Sequence, residues 1–153
     1  MAKALLFNIT GEKRMKLLFL LMQYGIVAIE GKSEDCDRPL GEILGKNGYS
    51  VMLAMDGPFT DEMLVLDGLS AEQFHGLLNG MQMLQATVTY KAVTTEHNLG
   101  WTPRRLHREL VAEHAMTPLA CNCWLFSYWS FAVASPDSAV AMVARHWLTA
   151  ACD

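Results

Sequence analysis

Short apolar runs alternate along this chain with stretches of helical spacing. Residues 3–8 (KALLFN) make a compact apolar run that predicts a strand. Thr10 then stands where a helix cap belongs. Met15, Leu18, Phe19 and Met22 follow at i, i+3, i+4 and i+7, which predicts a buried first helix carrying that apolar repeat, ended by Gly25. Residues 26–30 read as a second strand. A polar turn over 33–37 leads to a short helix with Leu40, Ile43 and Leu44 inside and Gly45 as its stop. Residues 46–60 read as loop, with weak strand character at 51–53.

The second half repeats the alternation more cleanly. EMLVLDGLS (62–70) is a strand running into a helix cap, where Ser70 and Gln73 have the spacing of a capping box. Phe74, Leu77, Leu78, Met81 and Leu84 then form one apolar helical face. Gly76 and Gly80 interrupt that helix at a cost of about 1 kcal/mol each against alanine. A fourth strand is predicted over 87–94, and Thr102 with Pro103 supplies the cap and first turn of a last helix reaching about residue 115.

The resulting order, βαβαβαβα, implies parallel pairing through right-handed crossovers. The runs ALLF (4–7) and MLVL (63–66) are apolar throughout, as strands covered on both faces are. The fold expected is therefore α/β, a three-layer sandwich around a mostly parallel four-stranded sheet. A ferredoxin-like α+β fold with an inserted helix is the alternative.

Apolar residues make up 52% of the 153 and charged residues 18%, which argues for a packed core and against disorder of the whole chain. The net charge of −4 gives no general attraction to nucleic acid or anionic lipid. Lys13, Arg14 and Lys16 precede the apolar run 17–21, but a strand before them and another after them argue for a buried helix over a secretion signal. Cys36, Cys121, Cys123 and Cys152 follow no disulfide framework, so a reducing compartment is expected. Residues 117–153 differ in kind. Their only charges are Asp137, Arg145 and Asp153, while Trp124, Phe126, Tyr128, Trp129 and Phe131 crowd one stretch. This apolar C-terminal tail is expected either to pack on the core or a partner, with self-association through it, to associate with a membrane, or to have little selected structure. Its apolar portion, 119–134, is shorter than the roughly 18 residues of a span.

Three segments, PLGEILG (39–45), PFTDEMLVLDGLS (58–70) and YKAVTTEHNLGWTPRRLHRELVAEH (90–114), together resemble the DUF3783 family of small bacterial domains of unknown function. The most specific part is Lys91, Ala92, Val93, Thr95, Asn98, Trp101 and Thr102. The resemblance covers about residues 3–116, with 117–153 outside the family pattern. It implies a fold unit in a bacterial cytoplasm, with no reaction, cofactor or site residues attached.

In parallel α/β sheets ligands bind beyond the carboxyl ends of the strands. Asp67, Lys91, Thr95, Asn98, Trp101 and Arg104 are accordingly the candidate ligand-binding residues, forming a polar edge with an aromatic wall for a small polar or anionic ligand. In the three-layer fold Asn8 and Thr10 join the same edge; in the alternative they lie opposite. The competing reading has Asn98 and Thr102 capping turns, Trp101 plugging the core and Lys91 solvated. Arg104, Arg105 and Arg108 open the last helix and suit a phosphate, unless Arg105 simply pairs with Glu109. His107 and His114 are expected on the surface, and at i+7 they stand too far apart for one ion. Cys121, Cys123, His146 and Cys152 have zinc-ligand chemistry without the usual knuckle spacing. No phosphate-loop, dinucleotide, metalloprotease or hydrolase motif occurs, and no basic stripe interleaved with aromatics suggests nucleic acid. The expectation is a non-enzymatic binding or regulatory domain for a small polar or anionic ligand or a protein partner. The alternative is a small enzyme using Asp67 or His97 as acid or base and Lys91 as electrostatic stabiliser.

Overall fold

The computed structural model describes residues 1–50 and 57–116; the weak strand at 51–53 and the aromatic tail lie outside the described residues. Met1–Ala112 forms one compact unit. Along it run β1 (Lys3–Phe7), α1 (Gly11–Gln23), β2 (Val27–Glu30), a 3-10 turn (Ser33–Asp37), α2 (Leu40–Ile43), β3 (Met63–Asp67), α3 (Ala71–Met83), β4 (Tyr90–Val93) and α4 (Pro103–Met116).

The four strands form one sheet in the order β2-β1-β3-β4. β1 and β2 are parallel, as are β3 and β4, but the central pair β1 and β3 is antiparallel. The sheet is thus mixed, which corrects the expectation of a mostly parallel one. Two βαβ units stand side by side, each with a crossover helix. Continuous apolar runs report that both faces of a strand are covered, and β1 from Ala4 onward and all of β3 are indeed buried. Burial carries no information about direction, which is why the expectation failed.

Strand alternation sorts the core. Register places Phe7, Met63 and Tyr90 in one row and Leu6, Leu64 and Lys91 in the next, on opposite faces. On the first face Phe7 meets Phe59 edge-on at 5.8 Å, and Tyr90 meets His107 of α4 at 5.0 Å. The other face is turned to α1. Because the two crossovers start from antiparallel strands, right-handedness puts α1 and α3 on the same face, where they pack together. Gly76 and Gly80 mark the seam: a Cβ there would lie 2.5 Å from the Tyr24 ring and 2.6 Å from Leu20. The propensity cost of these glycines is offset by close helix approach.

Helix ends follow the sequence at α3, where Gln73 N–H donates to Ser70 Oγ at 3.2 Å and Ser70 N–H to Gln73 Oε1 at 3.0 Å. Thr10 has the extended backbone of a cap but makes no side-chain cap bond. β4 is shorter than 87–94 and pairs with β3 from Met63 to Leu66.

The repeat Met15, Leu18, Phe19, Met22 is not the buried set of α1. Leu17, Leu20 and Leu21 are buried, while Met15, Phe19 and Met22 are 65%, 57% and 73% exposed. Two apolar repeats share this helix, and the crossover geometry selects the leucines.

Phe7 sets a tight limit on its neighbour Gly31, where an added Cβ would lie 2.1 Å from a buried ring already wedged against Phe59. Gly31→Ala is expected to cost about 1–3 kcal/mol through overpacking, read by chemical denaturation. Unchanged stability would show that the Phe7 ring is free to move.

Candidate functional site

β3 and β4 are parallel, so their carboxyl ends share one edge of the sheet with the amino end of β1. Asp67 closes β3 there and is buried. Its carboxylate Oδ1 accepts from Lys46 Nζ at 2.6 Å and from the Thr94 hydroxyl. Lys3, its register partner on β1, donates instead to the carbonyl of Leu44 beyond α2. A buried charge must be paired and hydrogen-bonded to persist, and Asp67 is both.

Asn98 is fully buried and its amide is spent on the chain. Oδ1 accepts from Thr95 N–H at 2.8 Å and Nδ2 donates to the Val93 carbonyl at 3.1 Å. These bonds fold the 95–101 loop so that the Leu99 and Trp101 carbonyls accept the N–H groups of Gly41 and Leu40, at 2.8 and 2.9 Å. α2 begins at a residue after Pro39 that has no side-chain cap, and the loop satisfies its first donors in place of one. Thr102 caps α4, accepting from Arg105 N–H at 3.2 Å. The turn-capping reading therefore accounts for the side-chain bonds of Asn98 and Thr102.

The remaining candidates are dispersed. Thr95 begins the loop with its hydroxyl oxygen buried and without a hydrogen-bond partner. Arg104 grips Asp37 of the 3-10 turn, Nε to Oδ1 at 2.9 Å. Arg105 lies over the Trp101 ring at 4.4 Å, and Glu109 pairs with Arg108 at 3.1 Å, so the expected Arg105–Glu109 pair gives way to a cation–π contact. His97 is exposed on the loop.

Lys91 is at the amino end of β4, three register steps from the level of Asp67 and on the opposite face. Asp67 and Lys91 do not meet, and the proposed acid–stabiliser pair has no geometric basis. Asn8 also lies at the far end, as the alternative fold required, where its Nδ2 donates to the Asp61 carbonyl at 3.1 Å. Its positive φ of 56° is one asparagine tolerates.

That far end holds what the sequence reading missed. His107 is only 12% exposed in its side chain, not a surface histidine. It stacks on Phe59 at 4.5 Å and bonds Asp61 through Nε2 at 2.9 Å, tying the 59–61 segment to α4. The signal was weak, because Phe59 and Asp61 sit in a loop with no periodicity. Beside it Lys13 pairs with Glu62 at 2.6 Å. Burial, and secondarily the Lys13 charge, pull the Lys91 ammonium down to about 8. Among the described residues no group of three or more His, Cys, Asp or Glu could hold a metal. Cys121, Cys123, His146 and Cys152 lie outside the described residues, as does any test of the tail.

Residues 62–117 match the model of a family described as Domain of unknown function (DUF3783). The segment that resembles this family comprises β3, α3, β4 and α4, the second βαβ unit with its following helix; the match is narrower than the 3–116 expected. No curated protein and no solved structure matches the chain. No helix among the described residues is long and apolar enough to cross a membrane.

Asn98→Ala removes two buried hydrogen bonds and the register of the α2 cap. A loss of about 2–3 kcal/mol in thermal or denaturant unfolding is expected. A loss under about 0.5 kcal/mol, the range of neutral surface changes, would return Asn98 to the ligand-binding candidates.

Proposed function

We propose that this domain is a non-enzymatic protein-interaction module that pairs with a second copy of itself through the outer face of α1. The carrying observation is the exposure of Met15, Phe19 and Met22 together on the solvent side of a helix whose other side is packed. Scattered exposed apolar residues need no explanation, but three at i, i+4 and i+7 make one ridge about 10 Å long.

The spacing is close to self-complementary. Met15 lies four residues before Phe19 and Met22 three after it, so a two-fold axis at Phe19 would set Met15 of each copy near Met22 of the other. Antiparallel helices would also hold the two basic amino-terminal turns apart. The cations beside the ridge are already matched: Lys13 with Glu62, Arg14 with Glu30 and Lys16 with Glu12. Matched rim charges favour an apolar protein surface over nucleic acid or anionic lipid as the occupant. A ridge this short supports a weak, concentration-dependent pair.

The small-ligand reading loses support because Asp67, Asn98 and Arg104 are engaged within the chain. Sedimentation of the full chain over a range of concentrations tests the proposal. Phe19→Lys is expected to weaken self-association at least tenfold and leave the unfolding midpoint unchanged, since Phe19 contributes little to the core. Association that persists unaltered in Phe19→Lys, or a protein monomeric throughout, overturns it.

A further inference from the structure

β2 ends the sheet at one edge, and its outer backbone is open. Val27 N–H donates to the Ala2 carbonyl and Gly31 N–H to the Leu6 carbonyl, so residues 27, 29 and 31 turn their backbone to β1. Ala28 and Glu30 therefore turn theirs outward, as does the Ile26 carbonyl, and none of these groups is bonded among the described residues. Natural edge strands are commonly guarded by lysine, proline or inward charge. Val27, Ala28 and Ile29 carry none of these, whereas β4 at the other edge carries Lys91.

The α1 ridge is aimed at this same edge. A Cβ at Gly80 would lie against Leu20 and one at Gly76 against Tyr24, so Leu20 and Tyr24 mark the side of α1 turned to α3. Met15 and Met22 stand about half a turn from those two and point away from α3. Since α1 crosses from β1 to β2 and α3 from β3 to β4, away from α3 is toward the β2 edge.

We propose that the second copy docks by strand addition, β2 pairing antiparallel with β2 of the other copy to make one continuous sheet beneath the two α1 helices. The choice of occupant rests on the α1 pairing proposed above, and the strands give that pairing its register. With Ala28 opposite Ala28, each N–H donates to the other's carbonyl, and each Glu30 N–H meets the Ile26 carbonyl across from it. Ile26 N–H stays with the Leu21 carbonyl, at 2.8 Å. Val27 then lies across from Ile29 of the other copy, a β-branched pair on the face away from α1. Ala28 is on the α1 face, where its small side chain leaves room for the two helices to meet. α1 runs antiparallel to β2, with Leu21 beside Ile26 and Arg14 beside Glu30, so the middle of α1 stands over Ala28. One two-fold axis through the Ala28 pair thus serves both the strands and the contacts of Met15 with Met22.

Amide hydrogen exchange of the full chain, resolved by residue at concentrations on both sides of the association midpoint, tests the pairing. Ala28 and Glu30 N–H are expected to exchange about tenfold more slowly in the paired chain, while Val27 and Ile29, already bonded to β1, change far less. Ala28→Pro removes an outward donor from an edge strand, where proline is tolerated, and should weaken association about tenfold with the far-UV spectrum retained. If Ala28→Pro does not fold, a mixture of Val27→Cys and Ile29→Cys chains gives the second readout. Peptide mapping is then expected to find a disulfide between positions 27 and 29 of different copies, in excess over bridges formed by either variant alone. Ala28 exchange unchanged by pairing, in a chain that shows contacts between Met22 and Met15 of different copies, would overturn strand addition and leave the α1 reading standing. Protection of Ala28 without those contacts would support strand addition and overturn the α1 reading. A chain monomeric at every concentration would overturn both.

Discussion

The antiparallel pairing of β1 with β3 is the constraint on which the rest of this domain depends. Both strands are buried on both faces, so the pair is the centre of the core. Each then takes its parallel partner on its outer side, through a helix of fixed handedness. Because the two crossovers begin from opposite directions, α1 and α3 land on one face and must approach closely, which Gly76 and Gly80 permit. The same reversal divides the chemistry, since the carboxyl end of β3 lies beside the amino end of β1. The parallel β3–β4 pair then brings Asp67 to the loop of Asn98, while the amino end of β4 lies at the opposite edge, beside the carboxyl end of β1.

Polar residues in this domain mostly stabilise backbone that the hydrophobic core cannot. Asp67 draws Lys46 and Thr94 together where the segment after α2 meets the sheet. Asn98 shapes a loop whose carbonyls begin α2, and Asn8 and His107 hold the 59–61 segment against the other end. An unsatisfied buried group costs about 1–3 kcal/mol, so buried Asp67 and Asn98 are more sensitive to truncation than their small contact areas suggest. A polar cluster at strand ends has two readings, ligand site or fold support, and here the hydrogen bonds favour the second.

Much of the architecture was legible in the sequence. Every strand and helix assigned to the described residues is there, because runs, caps and helical periods are local signals. The capping box at Ser70 and Gln73 and the stop at Gly45, where φ is 74°, are cases where one or two residues decide the backbone. Strand direction was not legible, since an apolar run reads the same in either orientation. The inner face of α1 was not legible either: Met15, Leu18, Phe19 and Met22 keep as good a helical period as Leu17, Leu20 and Leu21. The convergence of Asp67 with Lys91 failed for a geometric reason, as four-residue β4 puts its two ends at opposite edges. The His107–Asp61 contact joins residues 46 apart in the chain, beyond the reach of any local pattern.

The α1 repeat that the core does not use therefore becomes the feature that most needs an explanation. A sequence selected only for a stable monomer would place charge at Phe19, as it does at Lys13, Arg14 and Lys16 on the same helix. Our account assigns the ridge to a second copy, packed antiparallel about Phe19. The most direct test is an isotope-filtered nuclear Overhauser experiment on a mixture of methionine-methyl-labelled and unlabelled full chains. The account predicts intermolecular contacts from the Met22 methyl to Met15 and Phe19 of the other copy. Intermolecular contacts confined to other methyls, or none at a concentration where the chain is dimeric, would contradict it.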